Sequence, residues 1–182
     1  MPVHLEDLVT LKRYALHDLF SRGAEKPSWE NLLGYEFRGW NCAWWVPKKF
    51  VKGFFLGKQN GEAGVPLGYN IPVARDGFLS YNPKKPWQLL PGDMHPKHER
   101  FFTVSEVDKK ACDNKFPDAL LLDYGAAERW TPLRDYLRQL DKDLFIGKAY
   151  FAARGLRLPV SYFIMGRFRE VSYEGAGIPE KR

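Results

Sequence analysis

The amino-acid sequence predicts a mainly β protein: an antiparallel up-and-down barrel with an N-terminal helix and a short late helix. Three features of the chain point that way. From Gly34 onward, short aromatic-rich stretches follow one another, each bounded by glycine or proline. No alternation of strands with long helices supports a parallel sheet. Closure into a barrel would remove the exposed edges that so many aromatic strands otherwise present. At 182 residues the chain reads as one domain, residues 1–182, able to bury a core without metals or disulfides.

The first element is helical. Leu5, Leu8, Val9, Leu11, Ala15, Leu16, Leu19 and Phe20 recur at three- and four-residue steps behind Glu6 and Asp7, which predicts an amphipathic helix within residues 1–30. Gly23 and Pro27 end it. Then come the extended pieces YEFRGWNCAWW, KFVKGFFLGK, GYNIPVA and DGFLSYN. KQNGEAGVPLG is too glycine-rich for a helix and reads as a hairpin loop with Asn60-Gly61 as its tightest part. The adjacent Trp44 and Trp45 imply a strand that is apolar on both faces.

YNPKKPWQLLPGDMHPKHER holds four prolines and reads as a long loop that would cover one mouth of the barrel. Strands resume at RFFTVSEV and ALLLDYG. In TPLRDYLRQL, Thr131 suits an N-cap, Pro132 the first helical position, and Leu133, Tyr136, Leu137 and Leu140 one face, so a late helix is predicted. DLFIGKAYFAA, a turn at RGLR and PVSYFIMGRF complete about seven to nine strands, leaving residues 175–182 as a flexible tail.

Composition narrows the function. The 6 Trp, 9 Tyr and 13 Phe exceed what packing alone usually requires, and rings of this kind line pockets for apolar ligands. The net charge of +6 is spread evenly, with short clusters at Lys48, Lys49, Lys52 and at Lys84, Lys85. It reads as a solvated basic surface, so no nucleic-acid partner is expected. Cys42 and Cys112 lack metal or redox spacing. His95 and His98, in a proline-rich loop, read as solvated rather than as metal ligands. The N-terminus carries acids and bases throughout, and no apolar run reaches membrane-spanning length, so the expected location is cytoplasmic. No P-loop, dinucleotide fingerprint, nucleophile elbow or HExxH helix is present.

A leading helix, then GYEFRG, the F-x-K-G-F segment, GYN, LLLDYG, LRDYLRQL, LFIGKAYF and SYFIMGR, resembles the layout of small bacterial lipocalin-like (calycin) barrels. It is similar to the GXWXG/DUF4334 and nitrobindin-like groups. The resemblance runs from Leu5 to Arg167 and implies a calycin-type barrel enclosing a small apolar ligand. Nitrobindin-like relatives ligate haem through a late histidine. The last histidine here is His98, so neither haem nor another cofactor is expected.

The ALLLDYG stretch raises the sharpest question, because an apolar run ends on a charge. Alternation puts Leu120, Leu122 and Tyr124 on one face, with Leu121 and Asp123 on the other. Asp123 needs a partner on a largely buried strand, and Arg134 and Lys148 are the candidates. Two roles stay open for it: a closing ion pair, or, with Tyr124, an acid or base inside the cavity. Candidate ligand contacts are Trp40, Trp44, Tyr69, Asn70, Tyr81, Tyr150 and Tyr162, together with Arg134 and Lys148.

The expected function is therefore binding of a hydrophobic small molecule in a barrel cavity. The alternative is a cofactor-free isomerase or cyclase acting on a polyketide- or lipid-like substrate there.

Overall fold

The computed structural model describes residues 4–75, 85–108, 110, 116–127, 132–153 and 156–172. Eight strands close into an antiparallel up-and-down barrel, consistent with a lipocalin-like fold. They are β1 (Tyr35–Asn41), β2 (Lys49–Gln59), β3 (Glu62–Ile71), β4 (Glu99–Glu106), β5 (Leu120–Asp123), β6 (Leu133–Asp141), β7 (Leu144–Ala153) and β8 (Leu156–Glu170). Neighbours in sequence pair with one another, and β8 returns to β1, with Trp40 opposite Ile164. Among the described residues no helix is long and apolar enough to cross a membrane.

Many strand residues are buried on both faces, which is why period-2 alternation is faint in the sequence. In β2, Phe54 joins the inner cluster while Val51 and Phe55 join a second cluster outside the barrel wall. That outer layer is covered by α1 (Leu5–Leu8), α2 (Arg13–Asp18) and the segment carrying Trp87 and Leu89. The sheet is thus a wall with apolar packing on each side, and strand residues of both parities are hydrophobic.

The single N-terminal helix predicted from periodicity is interrupted. α1 and α2 are separate, and α2 runs on into a wider turn at Leu19–Gly23. The backbone amide of His4 donates to the Asp7 carboxylate at 3.0 Å, fixing the start of α1.

Between β2 and β3 the predicted loop contracts to its tightest part. Asn60 and Gly61 have φ of 48° and 87°, the left-handed pair a two-residue hairpin needs to match strand twist. Glu62 to Pro66 are already strand. Trp44 and Trp45 lie in the turn beyond β1 and not on a strand.

The late helix expected over TPLRDYLRQL is corrected by the structure: Leu133–Asp141 is β6. Its supposed apolar face divides between the two sides of the sheet, with Leu137 in the inner cluster and Tyr136 in the outer one. Pairing to β5 and β7 on both edges supplies two ladders of hydrogen bonds, whereas a helix this short is marginal in isolation. The late helical turn is instead α3 (Tyr124–Ala127), directly after β5. Thr131, Cys112, all of DGFLSYN with its Tyr81, and the expected tail at 175–182 lie outside the described residues.

One half of the barrel interior is solid. Phe37, Phe54, Phe102 and Phe145 are each 0% exposed, packed edge to face with centroids 5.1 to 5.6 Å apart. Gly68 and Gly147 make room for this filling: a Cβ on either would overlap the ring of Phe102 or Phe163. The free space lies toward the other end.

Candidate functional site

Inward-facing positions change character along the strands. In β2, Phe54 belongs to the solid half, and two residues earlier the same face carries Lys52. In β6, Leu137 is likewise followed on its face by Asp135. β2 and β6 stand on different sides of the barrel, yet Lys52 Nζ reaches Asp135 Oδ2 across the interior at 3.3 Å. Lys52 is 5% exposed and Asp135 3%.

Tyr124, the first residue after β5, completes the group. Lys52 Nζ donates to Tyr124 Oη, and Tyr124 Oη donates to Asp135 Oδ2 at 3.4 Å. The third donor direction of Lys52 goes to Asn70 Oδ1 at 3.2 Å. Asn70 in turn donates from Nδ2 to the Arg100 carbonyl at 2.9 Å, which holds its amide in place. Asp135 Oδ1 is buried without a hydrogen-bond partner.

These groups lie at the inner end of a pocket of about 480 Å³. Trp45, Phe50, Leu133, Phe151, Val160 and Phe163 form its apolar sides, with Asn41, Arg100 and Ser161 adding polar groups. Rings also surround the amine: Nζ is 4.9 to 5.5 Å from the centroids of Tyr124, Phe102, Phe50 and Phe163. Arg100 has φ of 50° at an irregularity in the β3–β4 pairing. Its side chain is largely exposed and salt-bridged to Glu99 at 3.8 Å.

Burial decides the electrostatics. Loss of water pushes the Lys52 ammonium below the ordinary lysine range, against the attraction of Asp135. The same desolvation raises the Asp135 carboxyl, with Lys52 pulling it back. Tyr124 is driven well above its usual value by burial and by the neighbouring Asp135. The two charged forms are therefore drawn toward neutrality, and a proton can pass between amine and carboxylate within the cluster. Chemically the site offers a nucleophilic or basic amine, an acid and a hydroxyl relay, all facing apolar walls.

The sequence-predicted residues fall into separate places. Tyr124 and Asn70 line the pocket. Asp123 and Arg134 do not: they stand opposite each other in β5 and β6, joined at 3.0 Å, on the alternate face of β5 from Leu122 and Tyr124. ALLLDYG thus ends on a charge because Asp123 turns away from the inner cluster to meet Arg134. Tyr69 is in the outer layer, donating to Glu36 Oε1 at 2.9 Å. Trp40 is buried there too, beneath Lys48. Trp44 is 73% exposed.

Lys148, Tyr150 and Tyr162 meet on the outer wall below α2. Lys148 Nζ lies 5.2 Å from the Tyr162 centroid and 5.4 Å from that of Tyr150, and His17 Nδ1 is 2.8 Å from Tyr162 Oη. This is a second, wide-open concavity, also bordered by Lys12, Arg13 and Tyr14. His98, expected as a solvated loop residue, is half-buried and stacked on Tyr69 with centroids 4.0 Å apart. Burial pushes the Cys42 thiol up to about 12, so it is no nucleophile near neutral pH.

Lys52, Asp135 and Arg100 were not singled out from the sequence. In the sequence Lys52 reads, with Lys48 and Lys49, as solvated charge, and Asp135 falls in the stretch that reads as a late helix. The usable signal was the spacing Phe50-Lys52-Phe54 and Leu133-Asp135-Leu137, a charge between apolar neighbours of equal parity. No protein-family model, curated protein or solved structure matches this chain, so its likeness to lipocalin-like proteins stands on the closed eight-stranded barrel.

Proposed function

We propose that the chain binds a small, largely apolar molecule in the open end of the barrel, with one polar, electron-rich head group against Lys52, Tyr124 and Asp135. The observation that carries this reading is the buried charged cluster at the inner end of an apolar pocket, with Asp135 Oδ1 unpartnered. A buried ion pair is an expensive way to fill a core, because well-packed apolar residues do as well or better. Its position beside free space rather than within the solid half favours a binding role. Arg100 is matched by Glu99, so the buried Lys52 amine and the Tyr124 hydroxyl set the polarity of the inner end, and they favour a carbonyl or acidic head over an amine. The phenyl and indole walls accept the body of the ligand.

The test is titration with the anionic apolar dye 1-anilinonaphthalene-8-sulfonate, in the wild type and in Val160→Trp, which fills the pocket mouth. The expected result is a loss of affinity of roughly tenfold or more, about 1.4 kcal/mol, with an unchanged unfolding transition. Equal dye binding by both proteins would refute the proposal.

A proton-transfer enzyme, an isomerase or cyclase in the same pocket, is the second reading. It is favoured by the Lys52–Tyr124–Asp135 relay, and it shifts the acid-base role from Asp123 to Asp135 while keeping Tyr124. Deuterium exchange at the α-carbon of a bound ketone, lost in Asp135→Asn, is its expected signature in proton NMR.

A further inference from the structure

We propose that Lys52 forms an imine with its ligand, so that the pocket selects aldehydes and ketones carrying an apolar body. This inference rests on the pocket reading above and goes further by naming the ligand class and the bond.

The geometry supplies what imine formation requires. Among the described residues lining the pocket, Lys52 is the sole amine. Its Nζ touches Tyr124 Oη and lies 3.3 Å from Asp135 Oδ2. When the ammonium passes a proton to Asp135, the nitrogen lone pair is freed. Burial lowers the energy of that transfer by removing both charges from a site that solvates them poorly. Four aromatic rings pack around the nitrogen and solvate charge poorly, which favours the uncharged amine that attacks.

The atoms balance without an oxidant or a reductant. The Nζ lone pair attacks the carbonyl carbon and forms the C–N bond, while the C=O π pair moves to oxygen. That oxygen takes a proton from Tyr124, and Asp135 returns the proton it holds to Tyr124. The carbinolamine nitrogen gives one proton to Asp135, the hydroxyl is protonated through Tyr124, and the C–O bond breaks to release water. Amine plus carbonyl thus becomes a protonated imine plus one water, with the iminium nitrogen left against the Asp135 carboxylate and Tyr124 again a phenol. The unpartnered Asp135 Oδ1 adds a second acceptor for the transferred proton.

The experiment uses the full chain with trans-cinnamaldehyde and sodium cyanoborohydride, followed by intact-mass measurement and peptide mapping, with dye displacement measured in parallel. The expected result is one rapid adduct, heavier by the aldehyde less one oxygen, on the peptide containing Lys52 and formed at least tenfold faster than on other lysines. Lys52→Met abolishes that adduct. Tyr124→Phe slows it tenfold or more. If Lys52→Met does not fold, peptide mapping of the wild type still decides the matter. Displacement of the dye by cinnamaldehyde with Lys52 unmodified would overturn the imine and leave the pocket reading intact. Neither displacement nor a Lys52 adduct would overturn both.

Discussion

The two ends of the barrel interior are built from the same strands by the same alternation, yet they do opposite things. In the solid half, Phe37, Phe54, Phe102 and Phe145 interlock and leave no room. Two residues along β2 and β6, Phe54 gives way to Lys52 and Leu137 to Asp135, and the interior becomes a pocket with a buried ion pair. The contrast separates two tasks within one sheet. Ring packing in one half holds the barrel closed, so the other half can carry a charged cluster that contributes little to stability by itself.

The largest expected effect breaks the solid half. Phe54→Ala removes a fully buried ring that packs on both Phe37 and Phe102. It should lower unfolding stability by about 4 kcal/mol, read by urea denaturation. A loss below half of that would mean that the two halves are not distinct in rigidity.

Next is the charged cluster. Lys52→Met leaves Asp135 buried without its cation and should destabilise by about 3 kcal/mol. Adding Asp135→Leu should return stability to within about 1 kcal/mol of wild type, while dye affinity stays low. If the double variant remains as unstable as the single one, the pair is a structural element of the barrel and not a feature kept for a ligand.

The same cluster should show in the pH dependence of stability. Lys52 is lowered in the folded state, so between that lowered value and the ordinary lysine value of 10.5 the unfolded chain binds more protons. Stability from this group therefore rises with pH across that window. Asp135 is raised from 3.8, so the folded chain binds more protons just above that value, and this contribution falls as pH climbs through the raised range. Relative to the Lys52→Met, Asp135→Leu double variant, the wild type should gain stability on the alkaline side and lose it on leaving the acid side. Parallel stability curves for the two proteins would contradict the burial argument. Tyr124 is common to both and drops out of the difference.

The smallest effect belongs to Asp123. Its ion pair with Arg134 is partly exposed on both sides, so Asp123→Asn should change stability by about 0.2–1 kcal/mol and leave dye affinity within about twofold. A larger loss of binding than of stability would connect the outer face of β5 to the pocket.

Only the edge of the pocket was within reach of the sequence, and not its centre. Tyr124 and Asn70, candidates from the sequence, line the pocket. The sequence offers Arg134 and Lys148 as partners for Asp123, and an ion pair forms with Arg134; alternation puts Asp123 opposite in face to Tyr124. Lys52 escaped because a lysine among lysines reads as solvated, and only its inward parity in a closed barrel buries it. Asp135 escaped because LRDYLRQL satisfies both the helical and the strand period, and a short segment cannot choose between them on its own. Lys148, Tyr150 and Tyr162 do come together, but on the outer wall rather than in the barrel.

The chain alone determined the antiparallel, closed architecture, because short aromatic segments with turn residues between them have few other ways to bury their rings and pair their edges. It also determined the Asn60-Gly61 turn, whose backbone conformation few other residue pairs adopt without strain. Only the tertiary structure decided that β6 is a strand, which half of the interior is filled, and that a lysine and an aspartate from different sides of the sheet share a proton-bearing cluster. Those outcomes depend on residues far apart in sequence arriving on the same inner surface. Pairwise distance across a barrel is set by closure and register, and neither is written in any local stretch of residues.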